Sequence, residues 1–198
     1  MVRRALGCVM ALTALLSVGA STASAQVFGA GPFSGLYFGV HGGYGWAGNE
    51  GPSLGGSLGG VQAGYNLQLG SALIGVEADY TWANLNGRGA IAGGIVDASV
   101  DTTWSARGRL GWVVANNLLI FGTAGYGGMD VSARALVSGL VLTGTQKQNG
   151  FVFGGGAEVL LTRSLMVRAE VLRYEMNSGG IGALDSSSVV RAALSYKF

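Results

Sequence analysis

The final nine residues, Val190 to Phe198, constrain the fold more than any other stretch of this chain. Counting back from the end, every second residue is Phe198, Tyr196, Leu194, Ala192 and Val190, with Lys197, Ser195, Ala193 and Arg191 between them. A β-strand sends successive side chains to opposite faces, so the segment has one apolar face and one polar face. An apolar face on a soluble core and an apolar face on lipid read alike at this length. Recurrence of the pattern and the character of the other chain end separate the two.

The pattern recurs. Leu36, Phe38, Val40, Gly42, Tyr44 and Trp46 alternate with Tyr37, Gly39, His41, Gly43 and Gly45. Val61–Leu67, Ile74–Trp82, Trp104–Trp112, Phe151–Val159 and Leu165–Val171 alternate in the same way. Leu118–Gly127 is strand-like, but its two faces do not separate. With the C-terminal segment this makes eight strands, and dyad alternation over segments of about ten residues is the signature of a transmembrane barrel.

The N-terminus supports export. Arg3 and Arg4 precede an apolar run from Ala5 to Ala20, and Ala23-Ser24-Ala25 follows as an A-x-A cleavage site. Residues 1–25 are therefore expected to be a signal peptide, cut between Ala25 and Gln26, with 26–198 as the mature domain. Cleavage removes Cys8, the only cysteine, and leaves ten basic residues against ten acidic. The mature chain then has no disulfide, no thiolate metal site and no electrostatic case for binding nucleic acid. Charged residues make up 11% of the chain, far below the roughly 25% of a soluble domain. No later apolar run reaches the ~20 residues of a spanning helix. A closed barrel satisfies every backbone group of such a chain within lipid.

The expected architecture is all-β: an eight-stranded antiparallel transmembrane β-barrel, an up-and-down meander with short periplasmic turns and longer extracellular loops. Short connections fall near Gln68–Ala72, Ala115–Asn117 and Thr162–Ser164. Longer Gly-, Ser- and Asn-rich ones fall near Ala47–Ser57, Asn84–Ala98, Gly128–Gln148 and Asn177–Ser187, and the strand-like Val131–Leu142 is a candidate extension of the barrel. Outward aromatic residues near the strand ends form two girdles, Tyr44, Trp46, Tyr80 and Trp82 on the extracellular side and Tyr65, Trp112, Tyr196 and Phe198 on the periplasmic side. Arg173 points outward near the extracellular interface, where it either snorkels or meets a lipopolysaccharide phosphate.

The inward faces carry Glu77, Asp79, Glu158 and Glu170 against Arg107, Arg109, Arg168 and Arg191, with His41, Gln62 and Asn66 beside them. An eight-strand lumen is just wide enough for side chains to fill. Matched buried charges read as a paired plug, whereas a single-sign ring would read as an ion-selective constriction. No catalytic, cofactor-binding or metal-binding residues are expected. Gly43–Gly48 matches G-x-G-x-x-G, but no helix follows it. Gly51–Gly55 matches G-x-S-x-G, but the only histidine, His41, lies upstream of the serine. The chain reads as a non-enzymatic protein. A soluble lipocalin-like barrel would instead need polar outward faces.

Gly60-Val61-Gln62-Ala63-Gly64-Tyr65-Asn66, Gly75-Val76-Glu77-Ala78-Asp79-Tyr80, Arg107-Gly108-Arg109-Leu110-Gly111, Gly154-Gly155-Gly156-Ala157-Glu158 and Leu194-Ser195-Tyr196-Lys197-Phe198 together resemble the small outer-membrane immunogenic proteins of proteobacteria, a porin-family group of eight-stranded barrels. The resemblance covers nearly all of the mature chain. It implies an outer-membrane location, a role in envelope integrity, antigenic loops, and a terminal Phe198 read by the barrel-assembly machinery; the outward apolar faces and Arg173 make outer-membrane lipid and lipopolysaccharide the expected partners. It also implies haem binding in some members; a narrow porin or a haem-binding transport protein is the alternative reading. The third periplasmic turn and Gly128–Gln148 are less typical of the group, so loop-borne binding is not carried over. No peptidoglycan-binding domain is expected beyond Phe198.

Overall fold

The computed structural model describes residues 31–47, 54–91, 94–137, 140–176 and 186–198. The expected signal peptide and the Ala25–Gln26 cleavage site lie outside the described residues. Eight strands follow one another: β1 (Gly35–Ala47), β2 (Leu54–Leu69), β3 (Ala72–Ile91), β4 (Gly94–Ala115), β5 (Leu118–Val137), β6 (Leu140–Leu160), β7 (Leu165–Met176) and β8 (Ser186–Lys197). Each pairs antiparallel with the next, and β1 pairs with β8 to close the barrel. Closure leaves no sheet edge within the ring, which is what a β-structure in lipid requires.

Alternation sets the register. Phe38 pairs with Ala63 and with Tyr196, all facing outward, while Gly39 pairs with Gln62 and Ser195, both buried inside. From Leu36 to Trp46 the outward face of β1 climbs roughly 33 Å along the strand at about 3.3 Å per residue. A tilt of about 40° reduces that to roughly 25 Å, the height of the apolar band on outer-membrane barrels.

Three tight turns, at Gly70–Ser71, Asn116–Asn117 and Leu161–Ser164, join the strands at the end carrying Phe198, as the sequence suggested. The other end needs a correction. Residues 84–98 and 128–148, expected as Gly-rich loops, are largely strand, and the strand-like Val131–Leu142 does extend the barrel, through Val137 in β5 and from Leu140 in β6. β3 continues to Ile91 before β4 starts at Gly94, and β5 continues to Val137 before β6 starts at Leu140. β3 to β6 run 20 to 22 residues, whereas β7 and β8 have 12. About 9–11 residues cross the bilayer, so the β3–β6 wall rises well above the rim on one side. A bulge at Asp101 on β4 lets the extension change its facing. It leaves the exposed Asp101 carboxylate to accept a hydrogen bond from Ser132 Oγ at 3.1 Å and turns Val100 into the interior.

Candidate functional site: the closed lumen

The lumen is built in layers. At the turn end, Phe33, Tyr37, Leu73, Leu119, Phe121, Leu160 and Met166 form one buried apolar cluster. At the extracellular end, Leu85, Val100, Met129, Val131, Val152, Leu172, Tyr174, Met176 and Val189 form a second. The polar interior is confined between them. The sequence pattern did not separate these layers, because it assigned inward positions by parity and gave weight only to the charged and polar ones.

All eight charged residues assigned to the lumen lie inside, buried and within reach of one another. Glu77 is the shared acceptor. Its Oε1 accepts from Arg107 Nη2 at 2.6 Å, and its Oε2 accepts from Arg168 Nη1 and from the Tyr37 hydroxyl, both at 2.5 Å. Arg109 and Arg191 each place an Nη atom 3.8 Å from the same carboxylate. One acid on β3 therefore draws in four guanidinium groups from β4, β7 and β8. Asp79 accepts from Ser105 Oγ at 2.5 Å, Arg107 Nη2 at 2.8 Å and Arg191 Nη1 at 3.3 Å. Glu158 accepts from Arg168 Nε at 2.6 Å and Arg109 Nη2 at 3.2 Å. Glu170 accepts from Arg191 Nε and lies 3.6 Å from Arg107 Nη1.

Several polar atoms, including Arg109 Nε, Arg168 Nη2 and Glu158 Oε1, have no hydrogen-bond partner within the protein. Charge matching holds this cluster together more than full hydrogen-bond satisfaction does. In a low-dielectric interior the attraction is strong only because each ion has close opposite partners.

Aromatic rings separate the charges from the turn-end mouth. The Arg109 guanidinium centre stands 4.2 Å from the Phe121 ring centroid, and that of Arg168 stands 5.3 Å from Phe121 and 5.5 Å from Tyr37. Guanidinium groups stack favourably on such faces. Tyr37 also accepts from Arg109 Nη1 at 2.9 Å, so it bridges ring and network. Sequence reasoning placed Tyr37 inside but missed this role, which only the cross-barrel register reveals.

His41 sits at the upper edge of the network. Its Nε2 is 2.9 Å from Thr81 Oγ1 and 3.4 Å from Arg191 Nη1. An arginine N–H can only donate, so Nε2 faces it as an acceptor. His41→Ala is expected to cost about 1–3 kcal/mol by stranding these buried partners, read as a lower urea midpoint in vesicles. No cluster of three or more metal-ligating side chains exists among the described residues.

The girdle residues all face outward. Tyr44, Trp46, Tyr80, Trp82, Trp112, Tyr196 and Phe198 are exposed and Tyr65 is half-buried. Three further aromatics join the extracellular row without having been assigned to it. Trp104 pairs with Tyr80 across β3 and β4, and its ring lies 6.5 Å from Tyr126, which in turn lies 6.0 Å from Phe151. Arg173 is outward and partly exposed, 3.4 Å from Glu175.

A closed meander with an apolar exterior and a charge-filled interior narrows the family, and sequence comparison decides it: the family described as outer membrane protein beta-barrel domain matches residues 11–198. The chain belongs to this family. It is an outer-membrane protein. It is 30% identical over 163 residues to the 31 kDa outer-membrane immunogenic protein of Brucella melitensis, covering 74% of this chain and 68% of that one. It is likewise 30% identical over 184 residues to the 22 kDa outer membrane protein of Rhizobium leguminosarum bv. viciae, covering 88% and 82%. Among solved structures, Neisserial surface protein A (NspA) aligns with a TM-score of 0.53 at 15% identity, covering 83% of this chain and 98% of that one. The N-terminal β-barrel domain of Pseudomonas aeruginosa OprF aligns with the same score at 12% identity and the same coverage. At these identities the likeness is one of fold.

Proposed function

We propose that this outer-membrane protein is a structural, non-enzymatic and non-conducting barrel that contributes to envelope integrity and presents its extracellular end as antigen. The carrying observation is the lumen: four acids and four arginines compensate one another inside the barrel, between neighbouring strands and across the bore, sealed by an apolar cluster at each end. An ion crossing it would have to shed water in two apolar layers and displace a matched ion pair. The purified protein in planar bilayers is expected to give no stable single-channel steps. Large, long-lived conductance would overturn the closed-lumen reading and favour the narrow porin. The haem reading lacks support of its own, since the ring of His41 is buried among Thr81 and Arg191.

The antigenic part of the proposal draws on the name of the Brucella relative and on the strand wall that rises above the rim. Two partner assignments belong with it. Outward Arg173, near the extracellular end of β7, is the residue we assign to a lipopolysaccharide phosphate, which arginine suits geometrically. Phe198, exposed on lipid and 5.1 Å from Tyr196, is the residue offered to the barrel-assembly machinery.

A further inference from the structure

The two closures of the lumen differ in construction. The extracellular cluster consists of side chains from the barrel wall itself, so it cannot withdraw without unzipping strands. The turn-end cluster has one member that precedes the wall. Phe33 lies before β1, has no partner in the strand ladder, and is nonetheless fully buried at the base of the lumen.

Local chemistry explains how it gets there. Gly31-Pro32-Phe33-Ser34 forms a β-turn, with Ser34 N donating to Gly31 O at 3.0 Å and Pro32 at the position where its fixed φ is favourable. Gly35 then joins the turn to β1 with φ of 126°, a conformation open to glycine. Gln68 latches the turn through both its side chain and its backbone. Gln68 Oε1 accepts from Phe33 N at 3.0 Å, and Gln68 N donates to Ser34 Oγ at 2.9 Å. Gln68 Nε2 is itself held by Gly70 O at 2.8 Å, and Lys197 Nζ donates to Ser34 O at 3.2 Å. Gly31 packs so closely on this amide that a Cβ would lie 2.2 Å from Gln68 Cδ.

We infer that Gly31–Ser34 is a strap that corks the periplasmic mouth with Phe33, and that its withdrawal admits small hydrophilic solutes up to the Tyr37–Phe121 layer while the extracellular closure stays shut. The inference rests on the closed-lumen reading above. The strap is attached by side-chain bonds rather than by the ladder, so it can leave as a unit without breaking strand pairing, in the manner of a local opening.

Thiol accessibility tests this. In the full chain carrying Cys8→Ser, a reporter cysteine is placed below (L119C) or above (M129C) the charge network, and labelling by a small charged methanethiosulfonate is timed in detergent. Heat-modifiable gel migration selects the folded barrel. With the strap intact both reporters should label slowly. Phe33→Ala should speed L119C at least about tenfold and leave M129C unchanged. Gln68→Ala, which removes the acceptor of Phe33 N and keeps the ring, should speed L119C to a smaller extent, and this arm decides if Phe33→Ala folds poorly. Equal L119C rates with and without Phe33 overturn the cork. So does a rise in M129C labelling on Phe33→Ala, which would mean general loosening. Fast M129C labelling with the strap intact overturns the closed lumen itself, which separates that failure from failure of the cork.

Discussion

Replacing Glu77 by alanine should lower barrel stability by about 3–5 kcal/mol, the range for removing one partner from a buried ion pair. Four guanidinium groups lie within 3.8 Å of this carboxylate, and the substitution leaves them facing one another at low dielectric. Urea unfolding in phospholipid vesicles measures the loss. Glu77→Gln should be nearly as damaging, because charge rather than volume is removed. The double variant E77M/R168M should recover part of the loss, since deleting both members of a buried pair strands fewer ions. A loss under about 1 kcal/mol for Glu77→Ala would show that the arginines relax without it, against the usual cost of uncompensated buried charge. If the network also blocks ions, Glu77→Ala should acquire a small conductance that the unmodified chain lacks.

The second large effect belongs to the outer surface. Val76 faces outward midway along the apolar band, paired with Gly108, and is 62% exposed. In a water-soluble barrel an arginine there would be harmless. In a bilayer it should cost about 2–4 kcal/mol. Arg173→Leu near the extracellular rim should change stability by no more than about 1 kcal/mol, because depth governs the penalty. Equal effects of the two substitutions would contradict the orientation of the apolar band. The comparison needs only folding titrations of three proteins in one lipid.

Legibility in the sequence followed the solvent on each face. Seven strands were readable because lipid outside and charges inside impose opposite demands on alternate residues. β5 was legible as a strand without separable faces, because both are apolar or small: Leu119, Phe121, Met129 and Val131 point in, while Ile120, Gly122, Ala124 and Tyr126 point out. Val131–Leu142 was legible as an extension of β5 and β6, but the upper halves of β3 and β4 were hidden for a related reason. Above the membrane both faces can be polar or small, so Asn84–Ala98 carries no dyad signal and reads as loop. Its strand character comes from pairing, Asn86 with Ser99 and Gly87 with Ala98, which is a property of two segments together.

The charged lumen residues were legible individually, since a charge-poor chain that sets four acids and four arginines at inward positions must let them neutralise one another there. Which acid meets which arginine was not legible. That Arg168 on β7 reaches Glu77 on β3, 91 positions away, depends on which strands face each other across the closed ring. Phe33 was invisible for a different reason. A single aromatic between Pro32 and Ser34 has no periodicity to betray it, and only the left-handed turn at Gly35 and the Gln68 latch direct it inward.

The charge network has a mechanical side as well. Glu77 on β3 grips β1 through Tyr37, β4 through Arg107, and β7 and β8 through Arg168 and Arg191. Arg107 is its neighbour along the wall, while Tyr37, Arg168 and Arg191 reach it from strands that do not adjoin β3, arranged like spokes about a hub. A barrel braced only by its ladder can flatten toward an ellipse when lateral pressure in the bilayer rises, keeping every backbone bond while it deforms. Here flattening would lengthen some spokes and break them. The charge network is therefore expected to resist flattening from within, a restraint that the strand ladder alone does not supply.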